Sequence, residues 1–124
     1  MAATDEQVKA GIEAYVRLVA DGTGEDIVAL FADDATVEDP VGTDVRSTRE
    51  QLLEFYGGLS SLKRSTRMLD AKIVAGQAAF LFELVLDFGE STQTITPIDV
   101  MTFDDDGKIT SMRAFWGPAD MVSS

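Results

Sequence analysis

The stretch LFADDATVEDPVG, Leu30 to Gly42, holds four carboxylates, Asp33, Asp34, Glu38 and Asp39. The chain contains no histidine and no cysteine, so the two commonest acid/base and nucleophilic side chains at neutral pH are missing. Cofactor-free chemistry on this chain falls to carboxylates, tyrosines or lysines. Asp33 and Asp34 follow a predicted helix end and are expected in a solvated turn. The next five residues alternate, so Ala35, Val37 and Asp39 share one side and Thr36 and Glu38 the other. Pro40 cannot donate to a strand ladder and should end the strand, leaving Asp39 at its rim. The plainer alternative is a turn aspartate that caps local amides.

The same alternation over Thr94–Phe103 puts Asp99 beside Pro97, Met101 and Phe103. A carboxyl on an apolar face stays neutral or finds a partner, because desolvation raises its pKa, and a neutral carboxyl is a hydrogen-bond donor. The competing account is an edge-strand aspartate turned outward by a twist or bulge. Tyr15 falls on an apolar helix stripe, where it is either plain core or a buried hydroxyl seeking a partner. Met112, Ala114 and Trp116 share one side of the final run, against Arg113 and Phe115 on the other. That wall suits a flat apolar ligand or ordinary core.

These residues need elements to hold them. Thr4 with Gln7 forms a capping-box pattern, and Val8, Ile12, Tyr15, Val16 and Val19 recur at helical spacing up to Gly22. A second helix is expected over Glu25–Ala32, and a third, capped by Ser47 with Glu50, carries Leu52, Tyr56 and Leu59. From Arg64 the period becomes two. Ala78, Phe80, Phe82, Leu84, Leu86 and Phe88 line one side of a long strand, and turn segments at 75–77, 89–90 and 104–107 separate four such runs. The pattern predicts an α+β fold: three N-terminal helices on one face of a curved, mainly antiparallel sheet, with a conical pocket between the layers.

Composition narrows the function. A length of 124 residues and 45% hydrophobic content predict one domain over 1–124 with a sizeable core. Ten basic against 22 acidic residues give a net charge of -12, which repels a nucleic-acid backbone and favours a neutral ligand. The longest purely apolar run, Ile27–Ala32, is far short of the roughly 20 residues that span a bilayer, so no membrane span is expected. The opening MAATDEQ lacks a basic and an apolar region, which predicts no secretory signal and a cytoplasmic location. FDDDG at 103–107 imitates a calcium loop, but with Gly107 at the sixth position Arg113 stands where a bidentate Glu is required. It is expected to be an acidic hairpin turn, and no metal site, phosphate loop or nucleophilic triad is predicted.

Tyr15 on a first helix, FADDATVEDPVG at 31–42, EFY at 54–56, TPIDVMTF at 96–103 and GKITSMRAFWG at 107–117 together resemble a bacterial steroid delta-isomerase of the ketosteroid isomerase family, which has a nuclear-transport-factor-like conical fold. The resemblance implies a homodimer that moves the 5,6 double bond of a 3-oxo-steroid to the 4,5 position without a cofactor. It matches Asp39 to the general base and Tyr15 and Asp99 to the two donors of an oxyanion hole. Tyr56 matches one further tyrosine found in some members, whereas Phe31 stands where another would be. The expected substrate wall comprises Tyr56, Phe82, Leu84 and Leu86, with Met101, Met112 and Trp116 completing it. Rival readings are another enzyme on the same cone, of polyketide cyclase or epoxide hydrolase type, or a non-catalytic ligand-binding or dimerisation module. The epoxide hydrolase reading wants an inward arginine between two acids, and Arg113 falls on the side opposite Met112 and Ala114.

Overall fold

The computed structural model describes residues 2–124; Met1, included in the expected 1–124 domain, lies outside the described residues. Helix α1 spans Asp5–Asp21 and starts as its sequence predicts, with the Thr4 side chain accepting from Gln7 N–H and the Gln7 side chain accepting from Thr4 N–H. Its stripe of Val8, Ile12, Tyr15, Val16 and Val19 is buried.

Two boundaries differ from the sequence expectation. Helix α2 covers only Gly24–Val28, because strand β1 (Phe31–Glu38) begins where the helix was expected to continue. Ile109 N–H donates to Leu30 O, and Phe31 lies opposite Ile109. This pairing comes from a partner almost 80 residues away and leaves no trace in local periodicity. Asp33 and Asp34 are consequently exposed strand residues and not turn residues. Helix α3 (Arg49–Gly57) is capped by Thr48 with Gln51, one residue later than the Ser47–Glu50 pattern. Gln51 Oε1 accepts from both Thr48 N–H and Ser47 N–H, so the later register satisfies an additional donor.

The remaining strands are β2 (Lys63–Val74), β3 (Gln77–Asp87), β4 (Thr92–Ile95), β5 (Ile98–Phe103), β6 (Ile109–Phe115) and β7 (Met121–Ser123), the last preceded by a 3₁₀ turn at Pro118–Asp120. Periodicity predicted four runs here, with Thr94–Phe103 as one. The structure breaks that run at Thr96–Pro97, since Pro97 has no N–H to give. Both pieces still pair with β3, Ile95 opposite Leu84 and Asp99 opposite Phe80. Phe88 lies beyond the end of β3 and is exposed.

The strands form a mixed sheet in the order β1-β6-β5-β3-β4-β7, with β2 on the other edge of β3. Only the β1–β6 pair is parallel among the described strands. Register shifts in β1, in β2 between Met68 and Asp70, and in β6 at Thr110, opposite Thr102 and Phe103 of β5, bend the sheet. The helices pack on its inner face, α1 against β2 and β3 and α3 against β1 and α2. Fully buried Ile12, Ile27, Phe80, Ile109 and the two methionines Met101 and Met112 form the centre of the core. Such apolar side chains each contribute about 1.5–3 kcal/mol relative to an exposed position.

Candidate active site

Between helices and sheet lies an apolar cavity. Alternation on β3 aims Phe82, Leu84 and Leu86 into it, β4 adds Ile95, and Pro97 follows at the break. Helix α1 supplies Tyr15 and Val19, one turn apart; α3 and the turn after it supply Phe55, Tyr56 and Leu59. Asp39, just past β1, and Trp116, just past β6, complete the wall. Along β3 the lining goes from buried Phe82 to half-buried Leu84 and Leu86, so the cavity deepens toward Phe82 and opens toward Leu86.

Of the residues proposed from sequence, Asp39, Tyr15, Tyr56, Phe82, Leu84, Leu86 and Trp116 share this cavity. Met101 and Met112 are placed otherwise. Both have no exposed surface and sit within the core, not in the wall. The period of a strand tells which side a residue faces but not how many layers cover it. Asp99 is only 1% exposed and also contributes no wall surface. It lies on β5 between its register partners Phe80 and Ala114. Val19, Phe55, Leu59, Ile95 and Pro97 were not singled out as site residues. Val19 and Leu59 follow Tyr15 and Tyr56 at helical spacing, which is the signal that points to them.

Asp39 is half-buried, and Trp116 Nε1–H donates to its Oδ1 at 2.9 Å. Burial pushes its carboxyl above the ordinary carboxylate range, while the Trp116 bond and the positive charge of Arg46 pull the other way. Tyr15 and Tyr56 are each 2% exposed, and their hydroxyls are hydrogen-bonded at 3.0 Å. Desolvation holds both phenols neutral, and the neighbouring hydroxyl and carboxyls reinforce this for Tyr15. Phe31 packs against both rings, at 6.4 and 5.7 Å between centroids, and brings no hydroxyl. It lies where the resemblance would place a further tyrosine.

Asp99 is raised well above the ordinary carboxyl range, first by burial and then by the charge of Asp39. Its Oδ1 is buried without a hydrogen-bond partner among the described residues. Burial of an unpaired carboxyl oxygen disfavours the charged form. Immediately before Asp39, Glu38 behaves oppositely. It points to the other side of the strand, accepts from Gly42 N–H and from Arg113 Nε–H at 3.0 Å each, and its pKa is lowered. Arg46 stacks 4.1 Å from the Phe55 ring centroid and is not part of the cavity wall. No group of three or more carboxylates that could hold a metal ion occurs among the described residues, nor is any helix there long and apolar enough to cross a membrane.

Comparison with known proteins gives the chain its relatives. The Steroid Delta-isomerase of Nocardioides simplex is 53% identical over 116 residues, which are 94% of each chain. The epoxide hydrolase/cyclase-like enzyme SalBIII, which has a role in pyran ring formation in polyether salinomycin, superposes with a TM-score of 0.86 at 30% identity and covers 94% of this chain and 95% of its own. RV0760c from Mycobacterium tuberculosis shares the fold, with a TM-score of 0.88 at 20% identity over 98% of this chain and 99% of that one. Residues 12–112 match the SnoaL-like domain family. With this much of its length matched, the chain belongs to the SnoaL-like domain family and, within it, to the steroid Delta-isomerase (ketosteroid isomerase) group.

Proposed function

We propose that this protein moves the 5,6 double bond of a 3-oxo-steroid to the 4,5 position by intramolecular proton transfer. The observation that carries the reading is the presence, in one apolar cavity, of a carboxyl acceptor, Asp39, and a tyrosine hydroxyl, Tyr15, backed by a second hydroxyl on Tyr56. Identity of 53% to a Steroid Delta-isomerase supports the substrate class.

The C4 hydrogen of such a substrate is alpha to the ketone and allylic, yet still a weak acid. The Asp39 carboxylate takes that proton, the C4–H electron pair becomes part of a dienolate, and the C3 oxygen acquires negative charge. Tyr15 O–H and the neutral Asp99 carboxyl donate hydrogen bonds to that oxygen, in a site where low solvation strengthens them. Tyr56 donates to the Tyr15 oxygen and fixes its direction. Asp39 then returns the proton to C6, the double bond settles between C4 and C5, and the ketone re-forms. Atoms and electrons balance without an oxidant, reductant or cofactor. Trp116 holds one Asp39 oxygen and leaves the other free for the transfer.

Incubation with 5-androstene-3,17-dione tests the reading through growth of conjugated-enone absorbance. Absence of turnover overturns it in favour of another cone-fold activity. The epoxide hydrolase alternative wants a cation among the cavity acids, but Arg113 is paired with Glu38 on the outer side and Arg46 is stacked on Phe55 outside the wall. Homodimer formation belongs to the same proposal. Ile98 and Phe115 lie opposite each other on the outer sheet face, 46% and 41% exposed, as an apolar patch for a second copy. A monomeric mass in sedimentation equilibrium at micromolar concentration argues against it.

A further inference from the structure

Arg64, at the start of β2, makes an unusual set of bonds. Its Nε–H donates to Val19 O and its Nη2 to Gly22 O, both at 2.6 Å. Its Nη1 donates to Leu59 O at 2.6 Å and Leu62 O at 3.1 Å. One side of the guanidinium thus grips the end of α1 and the opposite side grips the turn after α3. Val19 and Leu59 are both cavity-wall residues, and Arg64 itself lies opposite Leu86, the wall residue at the open end of β3. One side chain therefore ties together three walls of the cavity at its mouth.

The α1 terminus needs this partner. Its last turn contains Asp21 and no basic residue, an unfavourable charge for the negative end of a helix dipole. Gly22 N–H satisfies only Leu18 O, leaving Val19 O to Arg64. Thr66, two residues along β2, adds a hydrogen bond to Val16 O at 2.7 Å one turn deeper, so β2 fastens α1 at two heights. Only the Arg64 contact also reaches the α3 side.

We propose that Arg64 is a positioning residue that fixes the width of the cavity mouth and so sets selectivity for long, multi-ring ligands over short ones. The inference rests on the steroid-isomerase reading. On that reading a ligand of two fused rings would engage Tyr15 and Asp39, whereas a four-ring steroid would also reach the wall toward Leu59 and Leu86 that Arg64 holds together. Loosening the mouth costs the long ligand its contacts and leaves the reacting end unchanged.

The test compares wild type, Arg64→Lys and Arg64→Met on 5-androstene-3,17-dione and on a bicyclic β,γ-unsaturated octalone that represents rings A and B alone. Arg64→Met should raise KM for the steroid on the order of tenfold while kcat stays within about twofold, the pattern of lost binding that is uniform between ground and transition state. For the octalone kcat/KM should stay within about threefold. Arg64→Lys keeps the cation at the α1 terminus, and with it the fold, but its single nitrogen reaches one wall or the other, so it should show the same selectivity in smaller degree. It decides the matter if Arg64→Met does not fold. Binding supplies a readout independent of turnover. Fluorescence of Trp116, the only tryptophan in the chain, is titrated with estradiol and with the two-ring phenol 5,6,7,8-tetrahydro-2-naphthol, and only the estradiol affinity should fall. Equal losses for long and short ligands, or no loss for either, overturn the proposal. An inactive wild type that still discriminates the two phenols through Arg64 overturns the isomerase reading and keeps the mouth.

Discussion

The rim of β1 and the interior of β5 each carry an aspartate whose pKa is raised, and the two carboxyls sit in different surroundings. Asp39 is half-buried, bonded to Trp116 and near the Arg46 charge, and burial raises its pKa against two opposing influences. Asp99 is sealed between Phe80 and Ala114, and burial and the Asp39 charge raise its pKa together. On the proposed reading identical side chains serve as a base and a neutral donor, because Asp99 is buried more deeply and meets a like charge where Asp39 meets an indole N–H and a cation. On that reading a chain without histidine or cysteine assembles an acid and a base in one place from two aspartates.

Breaking the base is the largest perturbation. Asp39→Asn preserves volume but cannot accept a proton, so turnover should fall by about 100-fold or more, with melting temperature and phenolic-steroid affinity maintained. Retention of a tenth of wild-type turnover removes Asp39 from that role. The donor comes next. Asp99→Leu should lower kcat on the order of 100-fold, and Asp99→Asn, which keeps a donor, should cost less, with substrate affinity changing little in either. Equal losses in kcat that track lost folded protein would mark Asp99 as purely structural.

The comparison sharpens further with pH. Because the folded pKa of Asp99 is raised, its contribution to stability is fully present below the unfolded aspartate value of about 3.9. Between that value and the raised one the unfolded state binds fewer protons, so the contribution is lost as pH rises. Urea unfolding across pH 4–8 should therefore show wild type losing more stability toward pH 8 than Asp99→Asn; parallel curves contradict a neutral Asp99. The smallest effect is expected at Trp116→Phe. Loss of the indole N–H removes an influence that lowers the Asp39 pKa, so the acidic limb of the kcat/KM profile should move to higher pH, with a loss of only a few-fold at its plateau. An unshifted limb shows that the indole does not tune the base.

Both carboxyls were legible in sequence because alternation is a local property: Ala35-Val37-Asp39 and Asp99-Met101-Phe103 each declare a shared face. Tyr15 was legible for the same reason at helical period. What stayed hidden depends on partners distant in sequence. Phe31 enters β1 through pairing with Ile109, the break at Pro97 sends two short strands to one edge of β3, and Met101 and Met112 are covered by a further layer. The Arg64 contacts lay beyond reach for the same cause, since they join positions up to 45 residues apart.

Gly24, at the start of α2, has a wider meaning. A Cβ there would lie 2.8 Å from Gly57 N and 2.9 Å from its Cα, both backbone atoms of α3, whereas a Cβ on Gly57 would meet nothing within 4 Å. Two glycines that face each other are therefore unequal in mutational freedom: position 57 is open to alanine, and position 24 is closed unless α3 moves and carries Phe55 and Tyr56 with it. For evolution or redesign of the pocket, new ligand shapes are accessible through half-buried wall positions such as Leu84 and Leu86. The missing atom at Gly24 is part of the inheritance that any such variant must keep.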